Sequence, residues 1–147
     1  MLQNAILKLF TLLFLGFSFP SISQTGDTQS LKIKVSNISS AKGNIMIAVF
    51  DNAADFLSDE VVAGKVEPVT QSGEITIVIE DVPFGIYAIS AFHDKNANEI
   101  LDSNFFKIPT EPYGFSNDAR GRFGPPDFED ARINFSANQQ VFEIRIK

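Results

Sequence analysis

Hydrophobic alternation with a period of two is the feature that most constrains the fold of this chain. In residues 31–35, 75–79 and 142–146 every second side chain is apolar, and most of the side chains between them are polar. A period of two places the apolar side chains on one face of an extended strand. These segments therefore predict half-buried β-strands.

Other segments complete the predicted set of strands. Residues 44–50 and 85–92 are apolar at nearly every position, which indicates central strands covered on both faces. Residues 41–44 are typical of a hairpin turn between the first two strands, and residues 61–69 of a weak edge strand. Only residues 52–60 predict a helix. The pattern favours an all-β fold, an antiparallel sandwich of about seven strands.

Residues 1–23 predict a secretory signal peptide that is cleaved after Ser23. One positive charge, at Lys8, precedes an apolar run over residues 9–19, which is too short to cross a bilayer as a helix. An uncleaved membrane anchor is the alternative interpretation. We expect an exported protein, either periplasmic or extracellular, with no membrane span once the signal peptide is removed.

The remaining chain is expected to form a short linker at residues 24–30 and a single domain at residues 31–147. The sequence has 12 basic and 18 acidic residues, and removal of Lys8 with the signal peptide makes it one unit more negative. An acidic chain without a basic stripe is repelled by phosphate backbones, which excludes nucleic acid as a partner. The absence of cysteine excludes disulfides and lipid attachment. We expect a monomer.

The segment HDKNANEILD, residues 93–102, places oxygen-bearing groups at alternate positions. Calcium takes six to eight oxygen ligands, which a loop supplies at its first, third, fifth, seventh and ninth positions. Glu99 stands at the sixth position, where such loops need glycine, and Phe105 at the twelfth, where they need glutamate. The predicted metal ligands are Asp94, Asn96, Asn98, the Ile100 carbonyl and Asp102.

An incomplete calcium loop needs a further carboxylate, which we expect from the aromatic segment that follows. The candidates are Asp118, Asp127, Glu129 and Asp130. A second interpretation needs no metal, because Asp and Asn side chains also bond to their own backbone in successive Asx turns. The sequence leaves both interpretations open.

Residues 103–132 combine four prolines, three glycines and five phenylalanines. A long connection this rich in rings is expected to bury them, either on the sandwich or under a partner. Such a segment is a candidate ligand site, and a glycan or a peptide is the expected ligand. The alternative is a loop that only plugs the sandwich, with its arginines paired internally. The predicted ligand-binding residues are His93, Tyr113, Phe115, Arg120, Arg122 and Phe123.

His93 is the only histidine, and the chain has no cysteine, which argues against a zinc site. We expect His93 to pack at a strand end with one ring nitrogen bonded to a backbone oxygen. No serine lies in a nucleophile elbow. The sequence therefore favours a non-catalytic module for ligand binding or scaffolding over the alternative, a small carboxylate-based hydrolase acting on glycans.

Three segments carry a resemblance: the 93–102 stretch, GFSN at residues 114–117 and FGPPDFEDA at residues 123–131. In these the chain resembles a family of small secreted bacterial proteins, domain of unknown function 2141. The resemblance covers nearly the whole chain after the signal peptide. It implies export and a β-sandwich of immunoglobulin-like or prealbumin-like type. Relatives tend to have glycine where this chain has Ala97 and Glu99.

Overall fold

A computed structural model describes residues 27–147, and this part of the chain forms an all-β sandwich of two sheets. The sandwich predicted from hydrophobic alternation is therefore confirmed. The predicted signal peptide lies outside the described residues. The strands are β1 (Thr28–Ile38), β2 (Asn44–Phe50), β3 (Ala63–Pro68), β4 (Gly73–Pro83), β5 (Gly85–Asp94), β6 (Tyr113–Phe115), β7 (Arg132–Phe135) and β8 (Val141–Arg145).

The smaller sheet has the strand order β4, β1, β8, and the larger sheet has the order β3, β2, β5, β6 with β7 also paired to β5. The pairs are antiparallel except for β1 and β8, which run parallel. The nearly continuous apolar strands β2 and β5 lie in the middle of the larger sheet, as predicted. The predicted weak strand at residues 61–69 is the edge strand β3.

Strands β6 and β7 occupy the same edge of β5. β6 pairs with residues 90–92 and β7 with residues 85–88, so the two behave as one strand interrupted by an excursion. The excursion contains a 3₁₀ turn over Ser116–Asp118 and a short helix, α1, over Phe128–Ala131. It leaves and rejoins the sheet on its outer face, where the candidate site lies.

The main core lies between the two sheets, where Leu31, Ile33, Ile89 and Ile144 are fully buried. A second cluster covers the outer face of the larger sheet and includes Phe50, Phe115 and Phe128. Burial on both sides explains why β2 and β5 are apolar at nearly every position.

Three expectations from the sequence are wrong in detail. The turn at residues 41–44 does not form a hairpin, because β1 and β2 belong to different sheets. Residues 52–60 form turns in place of the predicted helix, since Leu57 has a left-handed φ of 63°. The predicted linker also ends early, because β1 begins at Thr28 and pairs with the end of β4.

Two side chains of the sandwich have shifted acidity. Burial, followed by the charge of Asp51, raises the pKa of Tyr87 above its ordinary value of 10.0. A hydrogen bond to Glu74 and the charge of Glu74 raise the pKa of Lys34 above 10.5.

In residues 27–147, no helix has the length and apolarity required to cross a membrane.

Candidate functional site

The candidate cation loop, residues 94–102, begins where β5 ends. Asp94 is fully buried, and its Oδ1 and Oδ2 accept hydrogen bonds from the backbone N–H groups of Asn98 (3.2 Å) and Glu99 (2.8 Å). A carboxylate that accepts two backbone amides forms strong, charge-assisted hydrogen bonds. Asp94 therefore folds the loop back over its own strand end.

Ala97 and Glu99 both adopt a left-handed backbone conformation, with φ of 58° and 63°. Glu99 occupies the sixth position counted from Asp94, where calcium loops need a sharp turn. For residues other than glycine this conformation costs about 1–2 kcal/mol each. The loop thus keeps the turn that a calcium loop needs at this position, although glycine is absent from it.

The other predicted ligands bond to one another within the loop. Asn96 Oδ1 accepts a hydrogen bond from the Asn98 N–H (3.1 Å), and Asn98 Oδ1 accepts one from the Ile100 N–H (2.9 Å). The amide groups of Asn96 and Asn98 donate to the Asp102 carboxylate at 2.6 and 3.2 Å. These are successive Asx turns, the arrangement expected of a loop that is folded without metal. The predicted ligands therefore lie together in one hydrogen-bonded loop.

The donor groups of this loop suit calcium better than a transition metal. Within residues 27–147, no three Asp, Glu, His or Cys side chains converge so as to hold a metal ion by themselves. A cation on the loop would rely on amide and backbone carbonyl oxygens beside its carboxylates, which calcium accepts. Zinc prefers nitrogen and sulfur ligands, which the loop does not offer.

Glu111 is the functional side chain that the sequence analysis missed. It is buried, and its Oε1 and Oε2 accept hydrogen bonds from the backbone N–H groups of Lys95 (2.8 Å) and Asp102 (3.2 Å). One carboxylate thus holds both ends of the loop. Among the described residues, the four acids predicted to complete the loop, Asp118, Asp127, Glu129 and Asp130, do not hydrogen-bond to it, whereas Glu111 does. That one of the four supplies a carboxylate to a cation stays a prediction.

His93 packs as predicted at the end of β5. Its ring is fully buried, and Nε2 lies 2.7 Å from the carbonyl oxygen of Lys42, while Nδ1 has no hydrogen-bond partner within residues 27–147. The backbone at Gly43 passes so close to Asp94 that a Cβ there would lie 2.1 Å from the Asp94 carbonyl oxygen. His93 therefore anchors the 39–43 turn beside the loop, and its ring is not exposed to a ligand.

Residues 103–109 form a small hairpin, here named the Phe hairpin. The Asn104 side chain accepts hydrogen bonds from the N–H groups of Phe106 (2.9 Å) and Ile108 (3.1 Å), which fixes the turn. Phe105 and Phe106 are 94% and 78% exposed, with their ring centroids 5.5 Å apart. At the hairpin these rings are therefore not buried on the sandwich, and burial under a partner, the other predicted alternative, stays a prediction.

An apolar cleft of about 410 Å³ lies between the outer face of the larger sheet and the Phe hairpin. Phe50 and Phe92 contribute to its floor, and Leu101 and Pro109 to one wall. No carboxylate lines it among the described residues. Because Leu101 belongs to the cation loop, the loop and the cleft are structurally coupled.

The predicted ligand-binding rings divide into two groups. Tyr113 and Phe115 lie on β6, with their ring centroids 5.9 Å apart, and both line the apolar cleft. Phe123 is 98% exposed beside Gly124, which also lines the cleft. Phe56 packs on Phe50, Phe115 and Phe128 and closes the aromatic cluster from the side opposite the sheet.

The two predicted arginines also differ. Arg120 Nη2 lies 3.0 Å from Asp118 Oδ1, which is the internal pairing that the sequence left open. Arg120 lines a smaller cleft of about 180 Å³ together with Arg145 and Lys147, here named the cationic cleft. Arg122 is exposed and lines neither cleft.

The GFSN segment, residues 114–117, ties the excursion to the sheet. Ser116 is buried, accepts a hydrogen bond from the Ile89 N–H (3.0 Å) and donates to the Ala131 carbonyl. The Asn117 amide donates to the Arg132 carbonyl at 2.6 Å. These bonds hold β6, helix α1 and β7 together, so this segment has a structural role that positions the clefts.

Comparison with known proteins places the chain in a family. No curated protein and no solved structure matches the chain. A family model described as "uncharacterized protein conserved in bacteria (DUF2141)" matches residues 33–143, which is most of the chain and includes the cation loop, the Phe hairpin and the GFSN segment. The chain belongs to the DUF2141 family of bacterial proteins.

Proposed function

We propose that the chain is an exported, non-catalytic binding module whose ligand occupies the apolar cleft on the outer face of the larger sheet. The observation that carries the proposal is the cleft itself, a concave apolar surface in which Phe92 and Tyr113 remain partly exposed. Small-molecule and peptide sites are typically concave, mostly apolar and lined by aromatic rings. The signal peptide predicted at residues 1–23 supports export.

The lining of the cleft favours a peptide side chain or another apolar group over a glycan. Its polar side chains include Ser58, Ser90 and Lys107, whereas aromatic and aliphatic groups form the remaining surface. A glycan presents many hydroxyl groups, and each needs a hydrogen-bond partner when buried. Transfer of an apolar group from water into the cleft lowers the free energy, and such a group needs few hydrogen-bond partners.

The carboxylate-based hydrolase finds less support. A glycosidase needs two carboxyl groups facing each other across the bound sugar, one of them a general acid in apolar surroundings. Asp118 and Glu143 line a shallow depression together, but their side chains are 58% and 76% exposed. Asp118 also pairs with Arg120, and Glu143 lies 3.9 Å from Lys34 Nζ. Neither acid has the surroundings that the reaction requires.

We also propose that calcium binds the cation loop and braces the wall of the cleft. Support comes from the alternate oxygens, the left-handed turn at Glu99 and the shared residue Leu101. With two charged groups among four side-chain ligands, the expected dissociation constant is about 10⁻⁴ to 10⁻³ M. Calorimetric titration with calcium chloride should show this binding in the intact chain, and Asp102→Asn should weaken it.

The cleft is tested by titrating ¹⁵N-labelled protein, residues 24–147, with N-acetylphenylalanine amide as a neutral peptide-like probe and methyl glucoside as a neutral sugar. We expect the amide probe to shift the backbone signals of residues 90–92, 101 and 113–115. Ser90→Leu, which fills the cleft, should abolish the shifts, whereas Thr76→Leu on the exposed side of β4 should leave them unchanged. Stronger shifts with the sugar would favour a glycan ligand. If neither probe shifts the backbone signals of the cleft residues, the proposal is contradicted.

A further inference from the structure

We propose that Arg120, Arg145 and Lys147 form an anion-binding site for a carboxylate group whose attached apolar part lies in the apolar cleft. This inference rests on the proposed binding function and names the chemical class of the ligand. It concerns the cationic cleft, which has a volume of about 180 Å³ and lies on the other side of Tyr113 and Phe115.

The charge balance of the cationic cleft is the reverse of that of the whole chain. The chain carries a formal charge of -6. The residues that line the cleft, by contrast, include three with cationic side chains, Arg120, Arg145 and Lys147, and one with an acidic side chain, Asp118. Converging cations in a concave site attract an anion more strongly than isolated surface charges do. The local excess of positive charge therefore calls for an anionic ligand.

The single carboxylate is already shared between two of the cations. Asp118 Oδ1 lies 3.0 Å from Arg120 Nη2 and 3.7 Å from Lys147 Nζ. Arg145 takes part in none of the ion pairs found among residues 27–147. A guanidinium without an internal partner can bind a carboxylate through two parallel hydrogen bonds. Arg145 is thus the principal anion-binding group, and Asp118 competes with the ligand.

The position of the site defines the rest of the ligand. Tyr113, Phe115 and Gly124 line both clefts, so the two clefts adjoin at these residues, and the proposed ligand extends from one cleft to the other. The ligand is therefore a carboxylate joined directly to an apolar or ring-shaped group. The carboxyl terminus of a peptide that ends in an apolar residue carries such a carboxylate and fits the apolar lining. An acidic sugar carries its carboxylate on a polar ring and is the alternative that the experiment separates.

The experiment compares matched pairs of probes that differ only in charge or oxidation state. N-acetylphenylalanine and its amide represent the peptide terminus, and glucuronic acid and glucose represent the sugar. Affinities are measured from the backbone signals of the ¹⁵N-labelled protein, residues 24–147. We expect N-acetylphenylalanine to bind at least about ten-fold more tightly than its amide, because charge-assisted bidentate hydrogen bonds are about twice as strong as neutral ones. A larger advantage for glucuronic acid over glucose would assign the sugar as the source.

Three variants make the test specific. Arg145→Gln, on an exposed face of β8, should reduce the affinity for N-acetylphenylalanine to that of the amide and leave the amide unaffected. Asp118→Asn should raise the affinity for the acid, since it removes the competing carboxylate and asparagine tolerates the left-handed φ of 49° at this position. Arg132→Gln, which removes an exposed arginine paired with Glu129, is the control and should change neither affinity.

The outcomes separate this inference from the proposed function. Equal affinity of acid and amide in the wild-type protein, with shifts in the apolar cleft, would overturn the anion site and uphold the cleft. A second outcome is that N-acetylphenylalanine and sulfate, each titrated separately, shift only the backbone signals of residues 118–121 and 145–147. This outcome would uphold the anion site and overturn the proposed binding in the apolar cleft. A loss of acid affinity in Arg132→Gln as large as in Arg145→Gln would also overturn the site, because the effect would then be one of net charge.

Discussion

Glu111 Oε1 accepts a hydrogen bond of 2.8 Å from the backbone N–H of Lys95, the first residue after the buried Asp94. Its other oxygen accepts a bond from the N–H of Asp102, at the far end of the cation loop. A side chain two residues before β6 thus closes the loop that follows β5. Glu111 thus stabilises the loop from outside, in addition to the bonds that Asp94 and Asp102 accept within it.

Glu111→Gln is expected to destabilise the protein by about 1–3 kcal/mol. Glutamine offers one acceptor oxygen and no charge, so one of the two backbone N–H groups loses its partner. Urea denaturation measures the change in the free energy of unfolding. Glu129→Gln, which removes an exposed acid paired with Arg132, is the control and should cost less than about 1 kcal/mol. Equal effects in the two variants would show that Glu111 does not hold the loop.

Ala97→Gly is expected to stabilise the protein by up to about 1 kcal/mol. Glycine relieves the left-handed strain of about 1–2 kcal/mol at this position and gives back part of the gain through greater freedom of the unfolded chain. Glu99→Gly should act in the same direction. Ala53→Gly, at an exposed turn without a left-handed φ, carries only the entropic cost and should destabilise. In thermal melts, Ala97→Gly and Glu99→Gly should therefore raise the melting temperature, and Ala53→Gly should lower it. A change in the same direction in all three variants would contradict the loop geometry.

Gly114→Ala is expected to destabilise the protein by about 1–3 kcal/mol. A Cβ at this position would lie 2.5 Å from the carbonyl oxygen of Arg145, where β6 approaches β8. The hydrogen bonds between the backbones of Tyr113 and Lys147, at 3.1 and 3.0 Å, would have to lengthen. Gly124→Ala is the matched control, since its Cβ would have no neighbour within 4 Å. Circular dichroism melts that coincide for the two variants would rule out this close approach.

Tyr87→Phe is expected to cost about 0.5–1.5 kcal/mol near neutral pH, because it removes the hydrogen bond from the Tyr87 hydroxyl to the Pro83 carbonyl. The cost should shrink as the pH rises above about 10. In the folded state the raised pKa keeps Tyr87 protonated where the unfolded chain already loses the proton, so the wild-type protein loses stability there. The raised pKa of Lys34 acts on both proteins and cancels in the comparison. Denaturation at several pH values tests this, and a constant difference would contradict it.

The sequence was sufficient for all the strands except the short β6 and β7, but not for the assignment of the strands to sheets. Alternation identified β1, β4 and β8, and continuous apolarity identified β2 and β5, because burial on one or two faces leaves that trace in the residues themselves. The glycine at residue 43 predicts a hairpin in the sequence, but a left-handed glycine suits a crossing between two sheets equally well. The parallel pairing of β1 with β8 joins residues far apart in the chain and has no local signature.

The alternate oxygens locate the cation loop in the sequence, whereas nothing in the local pattern singles out Glu111, whose carboxylate accepts hydrogen bonds from both ends of the loop. Only the pairing of strands in the folded protein brings Glu111 to the loop. β6 pairs Phe92 with Tyr113, and continuing this antiparallel ladder by two residues brings Glu111 opposite Asp94. Arg145 and Lys147 were missed for the same reason, because only the closure of β6 onto the end of β8 places them beside Arg120.

The affinity of the ¹⁵N-labelled protein for N-acetylphenylalanine amide, measured once in millimolar calcium and once with a chelator, tests the proposed function most directly. It reports on ligand binding in the cleft and on the contribution of the cation loop to the cleft wall. We expect the signals of residues 90–92 and 113–115 to shift with added probe, and the affinity to be higher in calcium. Cleft signals that remain unshifted in both conditions would contradict the binding function, and equal affinities would contradict the bracing role of calcium.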